Sequence, residues 1–143
     1  MKKIYLLLLL LSCSINTTYA QVTESNKKSS ANVDPRIIEV YGDQVQTLVL
    51  DVPNRLNDLT DILNNRVKIE EIKYDENEKF TKFSSIGLFL NSNPDLKRDS
   101  MVDSNNFNPL KYNFRFHANY KLIYRIDNTN KAIVIYPQPQ PRF

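Results

Sequence analysis

Residues 111–126 alternate without a break, and few sequence patterns constrain a fold so tightly. The even positions are Tyr112, Phe114, Phe116, Ala118, Tyr120, Leu122, Tyr124 and Ile126; the odd ones are Lys111, Asn113, Arg115, His117, Asn119, Lys121, Ile123 and Arg125. In an extended chain successive side chains point to opposite faces, so a period of two predicts β structure with one apolar, aromatic face and one basic face. It reads as one long strand or as two broken near Ala118 and Asn119. Asp127, Asn128, Thr129 and Asn130 supply turn residues, and residues 131–136 return as a strand with Ala132, Val134 and Tyr136 on one face. Together these predict a hairpin over residues 120–136. Pro137, Pro139 and Pro141 then lack the N–H a ladder needs, which leaves 138–143 as an extended tail.

Upstream the period changes. Asp34 followed by Pro35 is a helix start, a capping carboxylate before a proline whose missing N–H costs nothing there. Ile37, Tyr41, Val45, Leu48 and Val52 recur at helical spacing, widened by Ile38 and Val49, with Gly42 a weak point inside. Asp51 and Pro53 restart the pattern as a second helix with Leu56, Leu59, Ile62 and Leu63 on its apolar side, ended by Asn64 and Asn65. Residues 66–74 then alternate as a strand that slips by one at Glu70 and Glu71, for which a β-bulge is the simplest account. Residues 79–90 are largely apolar without a clean period, and residues 91–108, rich in Asn, Asp and Ser, read as a long surface loop. The expected fold is α+β: an N-terminal helix pair packed on a small, mostly antiparallel sheet that ends in the C-terminal hairpin.

The first twenty residues carry the address. Lys2 and Lys3 precede an apolar run over residues 4–11 and a polar stretch ending at Ala20, the order of a cleavable signal peptide. The run is far short of the roughly 20 residues that span a bilayer. A second processing signal overlaps it: residues 10–13 resemble a lipoprotein box, with Cys13 as the residue that would be lipidated. Cleavage after Ala20 and lipidation at Cys13 both place the domain outside the cytoplasm, periplasmic or secreted in the first case and tethered to the envelope in the second. Residues 21–33 are polar and read as a disordered linker, leaving a single domain over 34–137. Cys13 is the only cysteine, so that domain has neither a disulfide nor a thiol nucleophile and depends on its core.

Charge is unevenly placed. Residues 21–104 carry eleven Lys and Arg against fifteen Asp and Glu, a net of −4, whereas residues 105–143 carry six against Asp127 alone, a net of +5. Lys111, Arg115, Lys121 and Arg125 form the predicted basic face, suited to an anionic ligand or an acidic envelope protein; a solvated sheet edge guarded by cations has the same composition. His117 is the only histidine. With Arg115 and Lys121 beside it, it could serve a hydrolase or nuclease as proton carrier among cations that stabilise a developing phosphorane; a solvent-facing histidine on a polar strand face accounts for it as simply. Asp75, Glu76 and Glu78 lack the glycine of a calcium-binding EF-hand loop and fit an acidic turn. With Gly42 and Gly87 the only glycines, a glycine-rich phosphate cradle cannot be built. The composition calls for no metal and no cofactor. The expected function is therefore an exported binding module using the basic C-terminal face, with the His117 hydrolase as the alternative.

Two stretches, Asp34-Pro35-Arg36-Ile37-Ile38-Glu39-Val40-Tyr41-Gly42 and Tyr124-Arg125-Ile126-Asp127 running to Lys131-Ala132, resemble small exported proteins of Gram-negative bacteria that have no assigned function. The resemblance implies export and brings no active site.

Overall fold

The computed structural model describes residues 32–73 and 79–139 of the chain. The expected signal, both processing sites, nearly all of the linker, the acidic turn at 75–78 and the end of the tail lie outside the described residues. The elements that follow lie in one compact unit that begins at Asp34. Helices accompany a four-stranded mixed sheet, an α+β arrangement. Among the described residues no helix is long and apolar enough to cross a membrane.

Helix α1, Pro35–Tyr41, starts where the sequence places it. The Asp34 carboxylate accepts from the Arg36 backbone N–H at 2.9 Å, and Pro35 fills the first turn. Gly42 then ends α1 with φ +51° and ψ −132°, a conformation side-chain-bearing residues avoid. The chain continues through a 3-10 turn, Gly42–Gln44, and a π-turn, Gln46–Leu50. These changes of pitch rotate the apolar stripe. Ile37, Val40, Tyr41, Val45 and Val49 are buried, while the expected stripe members Ile38, Leu48 and Val52 are 40–43% exposed. Helix α2, Arg55–Asp61, follows and runs into a second π-turn, Ile62–Arg66, burying Leu59, Ile62 and Leu63.

The sheet is built from β1 (Val67–Glu71), β2 (Thr81–Lys82), β3 (Leu122–Arg125) and β4 (Lys131–Ile135), in the order β1-β4-β3-β2. β4 pairs antiparallel with both β1 and β3, and β2 runs parallel to β3. The β1–β4 register is unbroken from Val67↔Ile135 to Glu71↔Lys131, and Ile72 N–H continues it to the Asn130 carbonyl at 2.9 Å. The bulge expected at Glu70 and Glu71 is therefore not there. Glu70 sits at its slot because its carboxylate accepts from the Tyr136 hydroxyl at 2.7 Å, an attraction that apolar periodicity does not encode.

β4 is a central strand buried on both faces. Ile133 and Ile135 join Leu122, Tyr124 and Ile126 in the aromatic core with Phe83, Phe107, Tyr112 and Phe114; Ala132 and Val134 on the second face are fully buried as well. A strand covered on both sides reads as a continuous apolar run, which is what residues 132–135 are. Each buried aliphatic side chain contributes about 1.5–3 kcal/mol. Arg66 locks the sheet at one end: buried, it donates through Nε to the Tyr136 carbonyl at 3.1 Å and through Nη2 to the Phe116 carbonyl. At the other end Asp127 accepts from both the backbone N–H and the hydroxyl of Ser84, each at 3.0 Å.

The long alternating segment is the main departure from expectation. Its ladder covers only β3; before that, Pro109–Lys111 forms a 3-10 turn and the chain to residue 121 is irregular apart from a Leu88↔Tyr112 bridge. Sidedness survives in part: Tyr112, Phe114, Leu122, Tyr124 and Ile126 are buried, and Asn113, Arg115, His117, Asn119 and Lys121 are exposed, but Lys111 is buried and Tyr120 is exposed against the pattern. Here alternation marks positions that meet the core without a continuous strand, since the chain turns at 116–117 and bends at 119–120.

The conformation at Gly42 yields a direct check. A Cβ there meets no atom within 4 Å, so only the backbone opposes substitution. Gly42→Ala is expected to lower the unfolding free energy by about 1–3 kcal/mol at unchanged denaturant slope; a midpoint equal to the parent's would show that the positive φ is not required.

Candidate functional site

The four cations assigned to one basic face do not share one environment. Lys111 points inward: the residue is 5% exposed, and its Nζ lies 2.6 Å from Asp99 Oδ1 and 3.1 Å from Glu39 Oε1. Glu39 belongs to α1 and Asp99 to the segment between residues 91 and 108, so one ammonium joins three parts of the chain. The network extends further. Asn108 Nδ2 donates to Glu39 Oε2 and to the Arg36 carbonyl, both at 2.8 Å; the Tyr112 hydroxyl donates to Asp99 Oδ2 at 3.0 Å and accepts the Asp99 N–H at 2.9 Å. Lys111 is thereby a structural cation, and its assignment to an exposed binding face is corrected. A signal for this lies in the sequence. Asn108-Pro109 repeats the Asp34-Pro35 start, and the Asn108 side chain accepts from the Leu110 N–H at 3.2 Å to open the turn that carries Lys111 inward.

The 91–108 segment is likewise more than a surface loop. It forms no helix or strand, but Leu96, Phe107 and Asn108 are buried. Arg98 holds it against the core, donating to the Ile86 and Phe83 carbonyls at 2.6 and 3.0 Å with its guanidinium 4.9 and 5.1 Å from the Phe83 and Tyr112 ring centres.

The other three cations keep more of the expected character. Arg125 lies on the second face of the sheet, opposite the aromatic core, as the burial pattern of β3 requires, and Lys121, immediately before β3, is exposed. Lys121 Nζ sits 5.1 Å from the centre of the Tyr136 ring and 3.9 Å from Glu70 Oε2, and Lys68 of β1 approaches the same ring at 5.7 Å. Hydrogen bonding to Glu70, then partial burial, raises the Tyr136 phenol above its ordinary value and keeps it neutral. Arg115 is exposed and lies 6.0 Å from the Tyr120 ring centre; hydrogen bonding to Tyr124 is the main reason its guanidinium holds its proton more tightly than usual.

His117 stands elsewhere, on the rim of a cleft of about 280 Å³ whose walls include Leu59, Phe89, Phe114 and Phe116, with Arg55 and Asp58 of α2 and Asn113 as further polar groups. Arg55 donates to the Tyr41 hydroxyl at 3.2 Å, and its Nε is buried without a hydrogen-bond partner. Sequence reasoning missed Arg55 and Asp58, whose spacing marks them only as polar positions on a short helix. Of the set His117, Arg115 and Lys121, then, each member faces a different surrounding: the cleft, Tyr120 with Tyr124, and Tyr136 with Glu70. Among the described residues no group of three His, Cys, Asp or Glu side chains is placed to hold a metal ion. No family model, curated protein or solved structure matches the chain.

The Lys111 network makes stability pH-dependent on the alkaline side. Burial works against the Lys111 charge, but the hydrogen bonds and charges of Asp99 and Glu39 outweigh it and raise its pKa above the ordinary 10.5. Burial, reinforced by the charge of Asp99, raises the Tyr112 phenol above its ordinary 10.0. Both groups bind protons more tightly folded than unfolded, so their stabilisation is complete below the ordinary values and is lost as pH climbs through the raised ones. Denaturation midpoints are expected to stay level to about pH 10 and to fall steadily above it; a midpoint unaffected by alkali would contradict the buried network.

Proposed function

We propose that this is an exported binding module that engages an acidic partner of the envelope or secreted fraction through the cations grouped at Tyr136. The observation that carries the reading is Tyr136, whose ring has Lys68 on one approach and Lys121 on another, at 5.7 and 5.1 Å. Lysine side chains lose considerable rotamer freedom on binding, and resting them on a fixed ring removes part of that cost beforehand. Arg115 over Tyr120, which is 53% exposed, adds a second cation and aromatic pair of the kind that dominates interfaces. The recognition set is therefore Lys121, as read from the sequence, with Lys68 at Tyr136; Arg115 at Tyr120 is a separate contact point, and Lys111 is withdrawn into the core. Glu70 offsets part of the charge and fixes Lys121 in place. Export rests on the signal-like start of the chain.

The competing reading, a hydrolase or nuclease acting through His117 with Arg115 and Lys121, needs those three groups around one reacting atom. Arg115 and Lys121 are engaged by tyrosines and Glu70 instead, which favours binding over catalysis.

Crosslinking in the native host with the tagged full chain separates the two. A dominant partner is expected with the parent protein and with His117→Ala, lost with Lys68→Ala combined with Lys121→Ala, and weakened as salt rises, because exposed charges are screened beyond about 8–10 Å at physiological ionic strength. Undiminished capture by the double variant or at high salt would refute the charged-face reading.

A further inference from the structure

We propose that the cleft bearing Arg55 is a binding site for a small amphipathic carboxylate, an aromatic or short acyl acid. Its apolar body would lie among Leu59, Phe89, Phe114 and Phe116, and its carboxylate would meet the Arg55 guanidinium. The site is separate from the Tyr136 surface and stands or fails without it.

Size and lining come first. The cleft has a volume of about 280 Å³, and an apolar cavity of roughly 150 Å³ already accommodates benzene. Aromatic and aliphatic walls left to water lose about 25 cal/mol for every Å² a ligand would cover. An apolar body is thus favoured, and the few polar groups decide which head group goes with it.

Arg55 is the group that selects. Guanidinium carries five donors in a planar fork that matches a carboxylate, yet the fork is underused here. One Nη donates to Tyr41, Nε is buried out of a ligand's reach, and no ion pair joins Arg55 to a carboxylate among the described residues, so the remaining Nη–H groups are those a carboxylate would meet. A cation so placed beside an apolar wall favours a charged acceptor over a neutral one, since charge-assisted hydrogen bonds strengthen as water is excluded. Asp58, three residues along α2, lines the same cleft and repels a second negative charge, which limits the ligand to one anionic head. His117 and Asn113 on the rim offer further hydrogen bonds to it.

The test is titration of the purified protein with octanoate, phenylacetate and, as the uncharged control, octanol, followed by calorimetry and by the aromatic NMR signals of the cleft. The acids are expected to saturate and to shift those signals. Arg55→Gln should weaken them about tenfold or more, Asp58→Asn should tighten them severalfold, and octanol should bind weakly and ignore both changes. Acid and alcohol binding equally to parent and Arg55→Gln would overturn the proposal, as would no saturation by either acid. If Arg55→Gln fails to fold, Asp58→Asn decides alone, and acid binding no tighter than the parent's overturns it.

Discussion

A positive charge held inside the domain by two negative ones is the constraint on which the remaining structure depends. Taking an ammonium out of water costs several kcal/mol, and the cost is met only where partners are close and their remaining bonds are filled. Around Lys111 both conditions hold: Asp99 and Glu39 lie within 3.1 Å, and Tyr112 and Asn108 occupy their other oxygens. The consequence is positional. α1 contributes Glu39, the segment between residues 91 and 108 contributes Asp99, and the turn before Tyr112 contributes the cation. A long stretch without helix or strand is thereby fixed against the aromatic core, with Arg98 stacked on Phe83 and Tyr112 beside it.

The same network explains which parts of the fold could be read in advance. Apolar periodicity reports which side of the backbone meets the core, so Tyr112, Phe114, Leu122, Tyr124 and Ile126 could be named as core positions directly. Whether a segment finds a ladder partner depends on chain far away in sequence, and residues 113–121 turn and bend without one. Helix α1 could be placed from Asp34 and Pro35, but its end and the change of pitch after it follow from the backbone angle at Gly42, which residue spacing does not carry. The slip at Glu70 looked like an inserted residue because Tyr136, its partner, is remote in sequence.

Functional residues divide along the same line. Arg125 was legible as turned away from the core because β3 is a true strand. Lys111 was misplaced because its charge type says surface, while the Asn108-Pro109 turn that carries it inward was read as the end of a loop. Lys68 and Arg55 were not legible at all: Lys68 matters through Tyr136 and Arg55 through the cleft, and both relations are tertiary. The domain as described keeps two cations, Arg66 and Lys111, for its interior, and places others where tyrosine rings adjoin them.

A double-mutant cycle on Lys111 and Asp99, read by chemical denaturation, measures the coupling that holds the buried ammonium. Lys111→Met alone is expected to cost about 3 kcal/mol, because it leaves Asp99 without its counterion away from water. Combined with Asp99→Asn, it should cost less than the two single changes together, by more than about 1 kcal/mol. Strict additivity with a stable Lys111→Met protein would contradict the account, and would return Lys111 to the basic surface from which the structure has removed it.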